Sequence, residues 1–313
     1  MGRRNLGLRL GAAAVFAQAG GVRVLIVGCG YVGLALGAEL ARRGHAVAGL
    51  RRTAEGAEEL RAAGLTPLVG DVTRPETLAA LPGPFDWVVN TVSSSKGGAE
   101  VYRAVYLEGT RNLIAWLAGS GVRKFVHTSS TSVYGQTDGA EVTEESLALP
   151  MGEAGKLLVE TEQLLLAAAR ERAFPAVVLR VAGIYGPGRG HLFQQYLRDE
   201  ARIGGDGSRL LNMIHRDDVV GGTIAALERG EPGRIYNVAD DEPVTQLGFF
   251  QWLAEQLGKP PPPFASAEEN STRKRGLTHK RVSNRRLREE LGCALKFPTF
   301  REGYADEMRR LGG

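Results

Sequence analysis

A glycine-rich loop near the amino terminus is the strongest chemical signal in the sequence. It has the spacing G-x-G-x-x-G and reads Gly28-Cys29-Gly30-Tyr31-Val32-Gly33. An apolar stretch typical of a buried strand precedes it and a helical stretch follows, the context that makes the motif specific for a dinucleotide. Gly28 allows the tight turn, Gly30 lets the backbone approach a pyrophosphate, and Gly33 lets helix and strand pack closely. The start of the helix, at Tyr31 and Val32, then offers N–H groups to the phosphates.

The residues after the second predicted strand indicate which dinucleotide is bound. NAD-binding proteins commonly carry an acid there that binds the ribose hydroxyls, whereas this chain has Arg51 and Arg52. Two guanidinium groups suit the extra 2′-phosphate of NADP through charge and forked hydrogen bonds. Alternatively, one or both are solvated surface residues. The sequence therefore favours NADP over NAD as cofactor.

Several further motifs follow the glycine loop. They are Gly70-Asp71-Val72, Gly109-Thr110-Arg111-Asn112, Thr128-Ser129-Ser130-Thr131-Ser132-Val133-Tyr134-Gly135, Arg180 with Ile184-Tyr185-Gly186-Pro187-Gly188, and His215-Arg216-Asp217-Asp218-Val219. With these motifs the chain resembles, from about Val22 to Tyr304, the extended short-chain dehydrogenase/reductase family, which includes nucleotide-sugar epimerases and dehydratases. The resemblance implies that Asp71 and Val72 lie beside the adenine of the cofactor and that Thr91 lines the cofactor.

The resemblance also implies a catalytic serine and a Tyr-x-x-x-Lys pair. In the family, the lysine ammonium and the positive ring of the cofactor lower the pKa of the phenol, which takes a proton from a substrate hydroxyl. Ser130 matches the serine and Lys156 the lysine, which also binds the cofactor, but Gly152 stands four residues before Lys156. Tyr106 occupies a position where the family often has asparagine. Because the usual tyrosine is absent, the chain resembles an atypical branch of the family.

The missing tyrosine leaves three interpretations open. Another phenol, Tyr106 or Tyr185, reaches the site; or Glu153 or a water held by Lys156 handles the proton. In the third interpretation the chain is a catalytically inactive regulator or scaffold that binds NAD(P). The leading hypothesis is an NAD(P)-dependent oxidoreductase or epimerase/dehydratase-like protein. It would act on a hydroxyl or keto group of a small substrate, nucleotide-linked sugars included.

A polar segment late in the chain contains candidate substrate contacts. In the family, basic groups near this point face a substrate diphosphate, so Arg209, His215 and Arg216 are candidates for that role. The segment also precedes a predicted helix, for which Asp217 or Asp218 is a natural amino-terminal cap.

A basic run extends from Arg273 to Arg288, with eight lysines and arginines and no acid. The run is either solvated surface or a site that attracts a phosphorylated ligand or an acidic partner. Cys29 and Cys293 show neither metal spacing nor a disulfide framework. No group of histidines and cysteines has the spacing of a metal site, so no metal is predicted.

Alternating strands and helices must position these motifs. Strands are predicted at 22–27, 46–50, 67–69, 86–90, 124–128, 176–181 and 234–238, and helices at 31–43, 54–63, 100–118 and 153–172. Continuous apolar strands separated by helices predict a parallel sheet covered on both faces. The expected fold is therefore an α/β Rossmann fold, a doubly wound parallel sheet with a smaller carboxyl-terminal substrate lobe.

The weakening of this alternation after residue 183 suggests domain boundaries. Residues 1–20 are predicted to be a flexible extension, with a cleaved export signal as the alternative. The dinucleotide-binding domain comprises 21–185 plus 217–238, and the substrate-binding lobe 186–216 plus 239–313. Substrates of doubly wound sheets bind where such a lobe faces the carboxyl ends of the strands.

Composition and charge restrict the partners of the protein. Of the 313 residues, 43% are apolar and 24% charged, as in an ordinary soluble enzyme. The net charge of +4 comes largely from Arg3, Arg4 and Arg9, without which 36 basic residues face 35 acidic ones. We therefore expect a small-molecule substrate and no nucleic-acid or membrane partner. The absence of a disulfide pattern in the two cysteines and the diffusible cofactor favour a cytoplasmic location. The helices that begin at Glu100 and Glu153 are candidates for a homodimer interface.

Overall fold

The structure is a computed structural model that describes residues 21–93, 98–271 and 278–312. Its strands, in chain order, are β1 (Arg23–Val27), β2 (Ala46–Arg51), β3 (Thr66–Val69), β4 (Trp87–Asn90), β5 (Lys124–Ser130), β6 (Glu141–Val142), β7 (Ala176–Val181), β8 (Gly183–Tyr185), β9 (Leu210–Leu211), β10 (Met213–His215), β11 (Ile235–Val238), β12 (Val244–Thr245) and β13 (Arg281–Val282).

The helices of the described residues alternate with these strands in the first part of the chain. They are α1 (Tyr31–Arg42), α2 (Ala57–Ala62), α3 (Pro75–Ala79), α4 (Ala99–Tyr102), α5 (Gly109–Leu117), α6 (Glu153–Arg172), α7 (His191–Leu197), α8 (Arg216–Arg229), α9 (Gln246–Leu257), α10 (Ala267–Ser271), α11 (Arg285–Glu289) and α12 (Phe300–Gly312). None of these helices has the length and apolar character needed to cross a membrane.

Seven strands form one parallel sheet in the order β11-β7-β5-β4-β1-β2-β3. Strands such as β7, in which every residue is buried, are apolar runs because helices cover both faces of a doubly wound sheet. The sheet confirms the predicted Rossmann-type α/β fold. It also includes β11, the late strand expected to return to the sheet.

The strand order reverses between β1 and β4. From β1 the chain proceeds outward through β2 and β3, then returns to β4 on the other side of β1. Crevices that bind ligands form at such a switch point, outside the carboxyl ends of the strands. The glycine loop follows β1 and Thr91 follows β4, so the fold places both at this crevice.

The predicted helix at 100–118 is wrong as one regular element. The structure divides it into α4, a π-helical segment (Arg103–Glu108) and α5. π-helical turns are rare and occur often near functional sites, and hydrophobic periodicity does not reveal them. The sequence reading also missed α3, which begins with Pro75, a residue favoured at the first helical position.

The described chain divides into two compact units. The first contains the described residues up to Thr128, with Gln163–Val177 and Glu231–Gly233; the second contains Ser129–Glu162, Val178–Gly230 and the described residues from Arg234 onward. These boundaries differ from those drawn from the sequence, and the division into a dinucleotide-binding domain and a substrate lobe stays a prediction. The predicted extension at 1–20 lies outside the described residues.

The second unit has an aromatic core of its own. Tyr185 and Tyr304 stack with ring centroids 4.3 Å apart, and Phe249 and Phe300 pack beside them. Three short strand pairs frame this unit: β8 with β10, β9 with β12, and β6 with β13. Strands of two or three residues are too short to show periodicity, which explains why the sequence did not predict them.

Candidate active site and dinucleotide cradle

The three glycines of the loop after β1 differ in the space around them. A Cβ atom on Gly28, which has a φ of +90°, would lie 2.8 Å from the backbone nitrogen of Val92. A Cβ on Gly33 would lie 2.5 Å from the carbonyl oxygen of Gly28. Around Gly30, by contrast, no atom lies within 4 Å of such a Cβ. The structure thus leaves open space where a pyrophosphate is expected and close packing on either side of it.

The amino terminus of α1 is suited to an anion. The residue before the helix is Gly30, which has no side chain to cap it, and no acidic residue lies in the first turn. Tyr31 and Val32, which begin the helix, are half-buried. Unpaired N–H groups and the helix dipole favour negative charge at such an end, so the residues present fit the phosphates of a dinucleotide.

Thr91 fixes the glycine loop to the neighbouring strand end. Its Oγ1 donates a hydrogen bond of 2.8 Å to the carbonyl of Gly28, and its backbone N–H donates to the carbonyl of Val27. This threonine therefore holds β1 and β4 together at the switch point.

Arg51 and Arg52 lie at the carboxyl end of β2 in different surroundings. The Nε of Arg51 donates to the carbonyl of Cys29 at 2.9 Å, and its Nη2 lies 2.7 Å from the carboxylate of Glu59. Arg51 thus ties the glycine loop to α2, while Arg52 is exposed. Of the two, Arg52 is the one whose guanidinium is open to an incoming phosphate.

Asp71 and Val72 form a turn after β3. One carboxylate oxygen of Asp71 accepts hydrogen bonds from the backbone N–H and the hydroxyl of Thr73. Val72 is buried, and Asn112 donates from its side chain to the Val72 carbonyl at 2.9 Å. Two motifs of the sequence, separated by about forty residues, therefore hold one another in place.

In the second unit, Ser130 ends β5 and caps the short 3₁₀ turn Thr131–Val133. Its Oγ accepts a hydrogen bond of 3.1 Å from the backbone N–H of Ser132. A serine hydroxyl has one proton to donate besides the lone pairs it uses to accept. The proton of Ser130 is therefore not used by this hydrogen bond.

A buried polar network supports the segment around Ser130. The Ser129 hydroxyl donates to the carboxylate of Glu162, which forms an ion pair of 2.7 Å with Arg180. Arg180 donates to the hydroxyl of Tyr134 at 2.8 Å, and Tyr134 donates to the side chain of Asn237 at 2.8 Å. Buried polar groups that satisfy one another rigidify the elements that carry them. The network fixes the backbone on both sides of Ser130.

Beside Ser130 lies a cavity of about 310 Å³ within the second unit. It is lined by Ser130, Thr131, Ser132, Gly183, Ile184, Tyr185, Gly190, His191, Leu192, Arg209, Leu210, Leu211, Asn212, Met213, Thr278, Lys280 and Tyr304. Of the predicted catalytic and substrate residues, the cavity brings together Ser130, Arg209 and Tyr185, one of the two candidate substitute phenols. Lys156, His215 and Arg216 are not among the residues that line it.

Lys156 lies in the first turn of α6, and its Nζ is 2.7 Å from the carboxylate of Glu153. Both side chains are largely exposed, and the pair raises the pKa of Lys156 through the hydrogen bond to Glu153. Exposed pairs of this kind contribute little to stability and rearrange easily. Gly152, immediately before the helix, is exposed, and a Cβ there would meet no atom within 4 Å.

His215 caps the helix that follows it, contrary to the expectation for the two aspartates. Its Nδ1 accepts the backbone N–H of Asp217 at 3.1 Å, and burial lowers the pKa of His215 to about 4. Asp218 instead accepts the N–H groups of Lys296 and Phe297. The predicted cap at Asp217 or Asp218 is therefore wrong, because the imidazole has taken its place.

The two tyrosines considered as substitutes for the missing phenol have different surroundings. Tyr185 is buried, its hydroxyl lies 3.4 Å from the carbonyl of Thr299, and burial raises its pKa far above the ordinary value. A phenol in this state resists conversion to phenolate. Tyr106 lies in the π-helical segment, with its ring 5.4 Å from that of Tyr102.

Sequence reasoning missed Lys280 as an individual site residue. The residue is only 4% exposed and lines the cavity. One interpretation of the basic run that contains Lys280 was a solvated surface. The run itself was the signal that could have found it. Part of that run, at 272–277, lies outside the described residues.

Within the described ranges, no three His, Cys, Asp or Glu side chains are grouped so that they could hold a metal ion.

Comparison with known proteins agrees with this geometry. The model of the NAD dependent epimerase/dehydratase family matches residues 24–239. The chain therefore belongs to the NAD-dependent epimerase/dehydratase family, as the motifs predicted.

Individual relatives extend the likeness over most of the chain. Protein YeeZ of Escherichia coli is 28% identical over 286 residues, covering 88% of this chain and 96% of that protein. A 4-hydroxy-2-methyl-3-oxo-4-farnesyl-3,4-dihydroquinoline-1-oxide ketoreductase of Stigmatella aurantiaca is 30% identical, covering 74% of this chain and 72% of the relative. The UDP-glucuronic acid 4-epimerase of Bacillus cereus, solved in complex with NAD, shares the fold with a TM-score of 0.77 at 22% identity, covering 92% of this chain and 99% of that one.

Proposed function

We propose that the protein is an NADP(H)-dependent oxidoreductase that acts on a hydroxyl or keto group of a small substrate. The observation that carries the proposal is the cavity of about 310 Å³ that Ser130 helps to line, because the hydroxyl of this residue has a proton available to donate. A cavity of this volume is at the lower end of the range for small-molecule sites. The ketoreductase relative, by its printed name, supports carbonyl reduction as the direction to test first.

The dinucleotide would be held by the first unit. Gly28, Gly30 and Gly33 with the start of α1 would receive the pyrophosphate, and the Asp71-Val72 turn and Thr91 would line the remainder of the cofactor. When bound, a nicotinamide dinucleotide supplies hydride chemistry that no amino-acid side chain offers.

The preference for NADP is supported by the exposed guanidinium of Arg52 and by the absence of an acid at the end of β2. A 2′-phosphate there would gain a charge-assisted hydrogen bond, which is stronger than one between neutral groups. Arg51 would act indirectly, because its hydrogen bond to the Cys29 carbonyl holds the glycine loop.

Ser130 and Lys156 would have separate tasks. The Ser130 hydroxyl would donate to the substrate oxygen that gains or loses charge in the reaction. Lys156 would release Glu153 and bind the cofactor ribose, which its exposed and weakly held side chain permits. Gly152 supplies no proton, so the proton would come from a group other than the usual phenol. The candidates are Glu153 and a water held by Lys156.

The alternative function is that of a cofactor-binding regulator without catalysis, and Gly152 is the observation that favours it. Purified protein should be assayed for consumption of NADPH and NADH with a panel of ketones, aldehydes and nucleotide sugars. We expect turnover of at least one carbonyl compound, and its loss in the Ser130→Ala, Lys156→Ala double variant. Tight binding of NADPH without turnover of any compound would favour the regulator instead.

A cytoplasmic location is also proposed. It is supported by two free cysteines, both buried, and by the dependence on a diffusible dinucleotide. A homodimer through the helices that begin near Glu100 and Glu153 remains a proposal, which sedimentation of the purified protein would test.

A further inference from the structure

Lys280 is a buried cation whose hydrogen-bond partners are all neutral. The residue is 4% exposed; its Nζ donates to the carbonyl of Tyr134 at 2.8 Å and to the hydroxyl of Thr278 at 3.0 Å. An ammonium group has three N–H donors, so one is left over. Among the described residues, no carboxylate forms an ion pair with this lysine.

The cavity wall contains a second basic side chain. The described residues that line it include no aspartate or glutamate, but they include Lys280 and Arg209. The other ionisable side chains of the lining are His191, Tyr185 and Tyr304. The described lining is therefore basic in composition as well as partly apolar.

Burying an ammonium group without a counter-ion costs free energy, because the surrounding protein solvates it less well than water does. Burial accordingly lowers the pKa of Lys280 to about 8. At neutral pH the group is still mostly charged. An anion that entered the cavity would supply the missing counter-charge and recover part of the cost.

We propose that this cavity binds substrates that carry a carboxylate, and that Lys280 is the residue that recognises it. The inference rests on the proposed function only in that it takes the cavity beside Ser130 to be the substrate site. A single ammonium with one remaining donor suits a singly charged carboxylate. The apolar lining from Ile184, Leu192 and Met213 would then contact a hydrocarbon or aromatic body attached to it.

Calorimetric titration of the full-length protein without a dinucleotide tests this directly. The probes are benzoate, cinnamate and hexanoate, each compared with its neutral carboxamide at pH 7.0 and at pH 9.5. We expect at least one carboxylate to bind about tenfold or more tightly than its amide at pH 7.0. Most of this preference should disappear at pH 9.5, because Lys280 then loses its charge whereas Arg209 keeps its own.

Variants separate Lys280 from a general effect of charge. Lys280→Met should abolish the carboxylate preference, Lys280→Arg should retain it, and Lys296→Met, which removes an exposed lysine outside the cavity, should leave it unchanged. The proposal is overturned if no probe shows the preference, or if the preference survives at pH 9.5 or in Lys280→Met. Should Lys280→Met fail to fold, the pH dependence of the wild-type protein still decides.

These titrations involve no turnover, so they fail separately from the proposed function. Carboxylate binding without any NADPH consumption would remove the oxidoreductase and keep the anion site. NADPH consumption without carboxylate preference would keep the oxidoreductase and remove the anion site.

Discussion

The carboxylate of Glu162 and the guanidinium of Arg180 form an ion pair of 2.7 Å in which the side chains are 2% and 5% exposed. Glu162 projects from α6 and Arg180 from β7, so the pair joins a helix to a strand within the second unit. It lies at the centre of the network that also contains Ser129 and Tyr134. The position of the Ser130 hydroxyl therefore depends on a charge pair that has little access to water.

Removing one partner of this pair should destabilise the protein strongly. We expect Glu162→Gln to lower the free energy of unfolding by about 3–5 kcal/mol, because the Arg180 charge stays buried without compensation. Glu171→Gln, which breaks an exposed pair on the same helix, should cost less than about 1 kcal/mol. Urea-induced unfolding measures both, and equal losses in the two variants would contradict the assigned role.

The glycine loop predicts a separation of stability from cofactor binding. Gly30→Ala should fold as the wild type does, because its Cβ meets no atom, yet bind NADPH about tenfold or more weakly because the methyl group occupies the pyrophosphate position. Gly33→Ala should also lose about 1–3 kcal/mol of stability through its clash with the Gly28 carbonyl. Thermal unfolding with fluorescence titration distinguishes the two, and unchanged NADPH affinity in Gly30→Ala would refute the assignment.

Arg51 and Arg52 should respond differently to truncation. Arg52→Ala is expected to weaken NADPH binding by about tenfold and leave NADH binding nearly unchanged, because only NADPH has the 2′-phosphate. Arg51→Ala should weaken both cofactors, since it frees the Cys29 carbonyl and the glycine loop. The exposed Arg61→Ala serves as control. If the double variant of Arg51 and Arg52 has the wild-type ratio of NADPH to NADH affinity, the preference for NADP is wrong.

His127 should make the protein sensitive to mild acid. Burial lowers its pKa to about 4 in the folded protein, from an ordinary value of 6.5, so the unfolded chain binds the proton more readily. The contribution of His127 to the free energy of unfolding is therefore complete above pH 6.5 and is lost as the pH drops from 6.5 to 4. The loss from this group is on the order of 3 kcal/mol.

The measurement is the free energy of unfolding at pH 7.5 and pH 4.5 in the wild type and in His127→Gln. The variant should show a smaller loss between the two pH values, although His215 contributes a similar loss in both proteins. Identical pH dependence would show that the His127 imidazole is not held neutral by its surroundings.

Gly152 offers a test of the missing phenol. Because Gly152 is exposed and a Cβ there meets no atom within 4 Å, Gly152→Tyr should fold with stability within about 0.5 kcal/mol of the wild type. We expect it to raise carbonyl reduction by about tenfold or more, since a positioned acid typically contributes at least that much. Gly152→Phe, which lacks the hydroxyl, should show no gain; equal rates in the two variants would mean that the phenol adds nothing.

The sequence predicted the sheet and the glycine loop because both depend on local patterns. Buried parallel strands are apolar runs, and the turn at Gly28 is determined by a few adjacent residues. Lys280 could not be predicted in the same way. It precedes β13, which pairs with β6 about 140 residues earlier in the chain, and this pairing of two-residue strands leaves no periodic signal. The cap at His215 was missed for a related reason, because aspartates are the commoner caps and the sequence offered two of them.

The central claim, that α1 receives a dinucleotide at its amino terminus, is tested most directly by crystals grown with NADPH. We expect electron density for a pyrophosphate against the backbone at Gly30 and the first turn of α1. Well-diffracting crystals should be grown with NADPH and, separately, with NADH. The absence of either dinucleotide from this helix in both crystals would contradict the central claim.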